Sequence, residues 1–200
     1  MPTTPGEWDD KHRCDADAPA EEPSTILKEL LPLLPAGPAL DLACGTGRNT
    51  LFLARRQPVT AADRSRAALE VLARRAQKAG LAVCHGARIE AVKHGTLLIA
   101  GDLEECRLPI GAFSLIVCMR YLERSLFSKI AAALAPSGML LFETYTKAQL
   151  EFSGGPRNPE YLLDGGELGT AFAGLETVFY RELRAGQGIA SLLARKRPAA

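Results

Sequence analysis

Residues 39–52 read ALDLACGTGRNTLF: an apolar run that carries an acid at Asp41, breaks at Gly45-Thr46-Gly47 and passes into a helix-like stretch. In open α/β sheets ligands bind beyond the carboxyl ends of the strands, where the chain leaves the first strand. Glycines there permit positive φ and a close approach of backbone to ligand, and the first N–H groups of the following helix face the same crevice. A nicotinamide dinucleotide would favour a third glycine three positions after the second, but Thr50 stands there. The carboxylate of Asp41, at the strand end, could meet an ammonium group. Asp63 closes a second apolar run, VTAAD, where an acid can accept both hydroxyls of a ribose. An adenosine carrying a cationic amino-acid tail satisfies both acids.

The elements that must position these residues follow from hydrophobic period. Ser24 can cap a short helix through Ile26, Leu27, Leu30 and Leu31 that Pro32 ends, and residues 35–38 supply a turn before a strand at 39–43. Helix is expected at about 49–56, strand at 59–62 and helix at 66–79, with Ala68, Leu69, Leu72 and Ala76 on one face. Later strands fall at 97–100, 113–119 and 139–142, with a helix at about 125–134 closed by Ala-Pro-Ser-Gly as a turn. Alternation of this kind means a mostly parallel, Rossmann-like sheet with helices on both faces. Residues 175–181 and 189–195 are strand-like, and the link Ala185-Gly-Gln-Gly188 is too short for a crossover helix, so an antiparallel C-terminal hairpin is expected at the sheet edge. Residues 81–95 fit either an extra strand or an insertion. Residues 1–23 are rich in Pro, Asp, Glu and Ala without an apolar period, so they read as a mobile arm or lid on a single domain of residues 24–200.

The whole chain narrows the function classes. Its 200 residues suit one α/β domain. The 24 Lys plus Arg against 23 Asp plus Glu leave a net charge of +1, and no basic block tracks a phosphate backbone, which argues against nucleic acid. The five cysteines are scattered without a CxxC pair, as expected of reduced thiols in a cytosol, and no metal site is expected. No apolar run approaches the roughly 20 residues needed to span a bilayer, so a soluble, cytoplasmic protein is expected. The absence of GxSxG and HExxH leaves hydrolase chemistry without a candidate.

In order, DLACGTGRNT, VTAADRS, GDLEECRLP, FSLIVCMRYL and LAPSGMLLFETYT resemble the successive motifs of class I S-adenosylmethionine-dependent methyltransferases, over residues 39–145. The resemblance implies S-adenosyl-L-methionine as cofactor. It sets Asp41, Gly45 and Gly47 around the methionine part and ribose, makes Asp63 the ribose acid, and gives Asp102 the adenine amino group with Leu103 beside the ring. Ala43, Cys44, Asn49 and Arg64, within the first two motifs, join the candidate cofactor set. Residues 118–121 match the segment lining the methyl-transfer site, so Cys118 joins the cofactor set and Arg120 and Tyr121 are the catalytic candidates. WDDKHR near the start and the FETYT and GGPRNPEYLLDGGEL stretches resemble a bacterial branch of tellurite-resistance-like small methyltransferases. In that branch the first motif reads Trp-Asp-x-Arg-Tyr, whereas Lys11 and His12 stand in its last two places here.

Structural readings stand beside these. Asp63 would also cap the next helix, Asp102 could be a polar loop residue, and Cys44 and Cys118 could be small core side chains. Trp8 could pack the arm or cover the cofactor, and His12, His85 and His94 read as surface residues. CMRYL contains no Asp, Asn or His, which favours an acceptor that arrives ionised, a thiol or a soft-element oxyanion. Protein or RNA methylation, a non-catalytic cofactor-binding regulator and a nucleotide-binding oxidoreductase are the alternatives. A monomer or homodimer acting on a small molecule is expected.

Overall fold

The computed structural model describes residues 21–198 together with Gly6, Asp9, Asp10 and His12. Trp8, Lys11 and Cys14 lie outside the described residues. Among the described residues no helix is long and apolar enough to cross a membrane.

Among the described residues eight strands form one sheet in the order β3-β4-β2-β1-β5-β6-β8-β7. The first six, β1 (Ala39–Leu42), β2 (Val59–Asp63), β3 (Val83–Gly86), β4 (Thr96–Ala100), β5 (Phe113–Met119) and β6 (Leu134–Tyr145), pair in parallel. The hairpin of β7 (Glu176–Arg184) and β8 (Gly188–Arg195) is antiparallel and joins through β8 to β6, as the short link requires. From residue 21 onward the α-helices among the described residues are α1 (Thr25–Leu30), α2 (Arg48–Leu53), α3 (Arg66–Lys78), α4 (Phe127–Ala133) and α5 (Glu167–Ala171).

Strand alternation sends successive side chains to opposite faces. Ala39 and Val59 meet Ile26, Leu27 and Leu30 of α1, while Ala61 and Leu98 meet Leu69 and Leu72 of α3. Leu40, Leu42, Ile116 and Phe142 pack on the other face against Ile130 and Ala133 of α4 and Leu168 of α5. Asp41 therefore points to the face of α2, where Thr50 meets it.

Four expectations need correction or completion. Of the described residues of the arm, Gly6, Asp9, Asp10 and His12 are helical, whereas residues 21–23 carry no regular secondary structure. Asp9 binds the start of α3: its Oδ1 accepts from Ser65 Oγ at 2.6 Å and from Ala67 N at 3.2 Å. Ser24 precedes α1, but its hydroxyl caps nothing; its backbone N–H instead donates to Asn49 Oδ1 at 2.9 Å. The Ala-Pro-Ser-Gly stretch does not stand outside the sheet but lies within β6 as an irregularity, because Leu134 pairs with Phe113 and Met139 with Leu115. Ser137 takes φ 63° there, and bonds to Lys196 hold both of its flanks, so strand pairing overrides a local turn sequence. Residues 81–95 yield one parallel edge strand, β3.

Candidate functional site

The carboxyl ends of β1, β2, β5 and β6 open into a cavity of about 510 Å³. Its floor is the turn after β1. Ala43, Gly45 and Gly47 all take positive φ, at 58°, 54° and 85°, and Gly47 N–H donates to Cys44 O at 3.0 Å. A Cβ at Gly45 would meet nothing nearer than His12 at 3.9 Å, so the loop offers bare backbone to a ligand. A Cβ at Gly47 would strike the Leu72 side chain of α3, which assigns that glycine to helix packing.

Asp63 braces the loop. Its Oδ2 accepts Gly45 N–H at 2.7 Å and its Oδ1 accepts Ser65 N–H at 2.9 Å, leaving further lone pairs on the same carboxylate. Burial raises its pKa, opposed by those two amides and by His12 and Arg64. Asp41 is different: it is 1% exposed, its Oδ2 accepts the Thr50 hydroxyl at 2.6 Å, and burial pushes its carboxyl up to about 7. Thr50, the residue that occupies the place of a dehydrogenase glycine, is thus the hydrogen-bond partner that lets an acid sit under the loop.

Of the residues singled out in the sequence, Ala43, Cys44, Gly45, Gly47, Asn49, Asp63, Arg64, Leu103, Arg120 and Tyr121 line the cavity together. Asp41 and Cys118 are buried and Asp102 is partly exposed, and none of the three is in that lining. Asp102 accepts Glu104 N–H at 3.0 Å and pairs with Arg64 at 3.4 Å, which ties the loop after β4 to the loop after β2. Cys118 is fully buried in the core and burial raises its thiol pKa. Cys44 is 7% exposed, and burial raises its pKa likewise.

At the far wall Arg120 takes φ 59° directly after β5. Its Nη2 lies 3.3 Å from Glu143 Oε1 and donates to Gln187 Oε1 at 3.2 Å, and the guanidinium sits 4.6 Å above the Tyr145 ring. Glu143 is buried and also accepts the Ser191 hydroxyl at 2.8 Å. Arg120 also borders a second cleft of about 560 Å³ between α1 and the hairpin. Burial holds the Tyr121 phenol well above its ordinary pKa, so it is a hydrogen-bond donor at neutral pH and not a base.

Sequence reasoning missed His12, Pro156 and Tyr161, all of which line the cavity. His12 arrives on the arm, and Pro156 and Tyr161 on the long segment after β6. No local period marks any of them.

The fit of an adenosine-type ligand rests on three features of this cavity: its volume lies in the usual range for small-molecule sites, its floor is open glycine backbone, and a braced carboxylate stands at the end of β2. A family model described as a methyltransferase domain matches residues 39–138, half the chain. The chain belongs to this family. It is a methyltransferase enzyme of class I, with S-adenosylmethionine as methyl donor. No curated protein matches it in sequence. Solved structures that share the methyltransferase's fold include TehB from Haemophilus influenzae, at 17% identity and TM-score 0.71, covering 95% of this chain and 67% of that one. The N-methyltransferase NodS from Bradyrhizobium japonicum WM9 aligns at 17% identity and TM-score 0.65, over 87% of this chain and 93% of that one. Geranyl diphosphate C-methyltransferase from Streptomyces coelicolor A3(2), solved with S-adenosyl-L-homocysteine, aligns at 17% identity and TM-score 0.64, over 86% and 76%.

Proposed function

We propose that the protein methylates a small-molecule thiol or soft-element oxyanion by in-line displacement, with Arg120 and Tyr121 at the acceptor. The observation that carries this reading is the charge at the far wall: a guanidinium, with a phenol that stays protonated beside it. A cation and a hydrogen-bond donor suit a nucleophile that arrives already ionised and requires no proton removed. Bound S-adenosylmethionine supplies a methyl group on a sulfonium leaving group. The chain's own residues orient and shield. The glycine loop Gly45 to Gly47 and Asn49 border the amino-acid tail, Asp63 receives ribose hydroxyls, and Asp102, Leu103 and Arg64 border the adenine. Alignment of nucleophile and methyl at about 3 to 3.5 Å can contribute roughly 7 to 11 kcal/mol of barrier lowering.

Residues 1–23 serve in this reading as a lid on the domain of residues 24–200. Asp9 bound to the start of α3 and His12 at the cavity wall support it. A net charge of +1 supports a small-molecule acceptor over nucleic acid, and the protein acts in the cytoplasm as a monomer or homodimer.

The test is mass spectrometry after incubation with deuteromethyl-labelled cofactor and para-nitrothiophenolate, selenite or tellurite. Labelled methyl on one of these acceptors is the expected result. Binding of S-adenosylhomocysteine without transfer to any of them, or transfer only to protein or RNA, would sink the reading.

A further inference from the structure

Arg124, in the 3-10 turn that follows β5, reaches across the chain to the segment after β6. Its Nε and Nη2 hold the two carboxylate oxygens of Glu167 at 2.6 and 3.0 Å, a bidentate fork. The same guanidinium donates from Nη1 to Glu160 O and from Nη2 to Leu162 O, each at 3.0 Å. These two carbonyls flank Tyr161, which lines the cavity. Glu167 closes the arrangement by accepting Asp164 N–H on Oε2 at 2.8 Å. Beyond it, Leu163 is fully buried, donates its N–H to Tyr145 O at 2.9 Å and accepts Lys147 N–H at 2.8 Å. Tyr161 is therefore held between a guanidinium on one side and the end of β6 on the other.

The consequence lies in what faces what. Tyr161 and Pro156 come from one segment, Tyr145 from the end of β6 and Tyr121 from the stretch just after β5, and all four border the cavity that also contains the glycine loop. An exposed ion pair alone contributes little to stability, and Arg124 is 43% exposed at its side chain. Two of its four hydrogen bonds end on the backbone carbonyls either side of Tyr161 and the other two on the Glu167 carboxylate, which is the geometry of alignment rather than of bulk stabilisation. A planar fork makes all four together, whereas a lysine ammonium has only three donors and no fork to match the carboxylate.

We propose that Arg124 is a positioning residue for the methyl acceptor: by gripping the carbonyls on both sides of Tyr161 it fixes that ring as the acceptor-side wall and so sets which acceptors fit. This rests on the acceptor reading above, and the test separates the two. Amide hydrogen exchange across residues 159–164 is compared in wild type, Arg124→Gln and Arg124→Lys, all saturated with S-adenosylhomocysteine. The expected result is about tenfold or greater acceleration in Arg124→Gln with a smaller one in Arg124→Lys, at unchanged S-adenosylhomocysteine Kd. With para-nitrothiophenolate as acceptor, Arg124→Gln and Tyr161→Ala should each raise KM about tenfold with kcat little changed, and the double variant should do no worse than either alone. Wild-type exchange rates in Arg124→Gln would overturn the proposal. So would additive effects in the double variant, or a loss that falls equally on S-adenosylhomocysteine binding. A wild-type protein inactive on every thiol and oxyanion, whose 159–164 amides nevertheless lose protection in Arg124→Gln, would overturn the acceptor reading and leave the grip standing.

Discussion

Replacing Asp41 with asparagine should stabilise the protein, and increasingly so as pH rises. The carboxyl is sealed beneath the glycine loop at 1% exposure, and burial, with a lesser contribution from the charge of Asp63, pushes it up to about 7 from 3.8. A folded-state pKa above the unfolded one means that the folded protein holds the extra proton. The stability this group contributes is present in full below about pH 4 and is lost as pH rises through about 7. The gap between 3.8 and about 7 corresponds to about 4 kcal/mol. The side-chain amide of the Asp41→Asn variant would keep an oxygen for the Thr50 hydroxyl and never ionise. The advantage of the variant should grow from under about 2 kcal/mol at about pH 5 to about 4 kcal/mol above about pH 7. With a urea dependence of about 2 kcal/mol per molar, the unfolding midpoints should separate by about 2 M at the alkaline end. Urea titrations of both proteins across this window check it, since other groups cancel in the difference. A pH-independent difference, or a variant less stable at about pH 8, would refute the assignment of a buried proton to Asp41. The same proton gives a binding signature. If the cofactor's ammonium draws Asp41 into its charged form, calorimetry of S-adenosylhomocysteine in two buffers near neutrality should detect proton release, absent in Asp41→Asn.

Three other substitutions have distinct expected outcomes. Asp63→Ala orphans the amides of Gly45 and Ser65 and removes the proposed ribose acceptor, so calorimetry should find S-adenosylhomocysteine Kd raised roughly ten- to a hundredfold, about 1.5 to 3 kcal/mol, with the melting temperature lowered as well. Arg120→Ala strips a buried Glu143 of its cation; the usual 3 to 5 kcal/mol for a broken buried pair shrinks to about 2 because Arg120 is a quarter exposed, and urea unfolding should show that loss alongside slower turnover of anionic acceptors. Asp9→Ala removes the carboxylate from the start of α3 while leaving Ser65 as cap, so a loss of about 1 kcal/mol in thermal unfolding is expected, with a larger relative loss of turnover if the arm is a lid.

The sequence made some parts of this molecule plain for physical reasons. β5 is a seven-residue apolar run buried along almost its whole length, and its bounds are those the apolar period sets. The glycine loop was readable because the positive φ angles there favour glycine. β3 was ambiguous because it is an edge strand with one half-buried and three exposed residues, which leaves no burial pattern to read. The Ala-Pro-Ser-Gly stretch carried a correct local turn signal that strand pairing from both sides absorbed. Tyr161 and Arg124 were silent for a further reason: their relation spans dozens of residues and depends on how a long segment folds back over the sheet. His12 looked like a surface residue because nothing in a polar, proline-rich arm announces where it docks. Asp41 was recognised as important, yet only the structure pairs it with Thr50, in the first turn of the next helix.

Two glycines that look alike in the sequence face different futures under mutation and drift. Gly45 has φ 54° and open space where a side chain would go, and asparagine, which tolerates the left-handed region, could replace it with modest strain so long as no ligand needs the room. Gly47 answers to two constraints at once, φ 85° and a Leu72 methyl in the space that any Cβ would need. Trimming Leu72 to alanine relieves only the second. A lineage of this enzyme could therefore wander at position 45, whereas a change at position 47 requires a simultaneous loss of bulk at position 72 and still leaves the backbone strained.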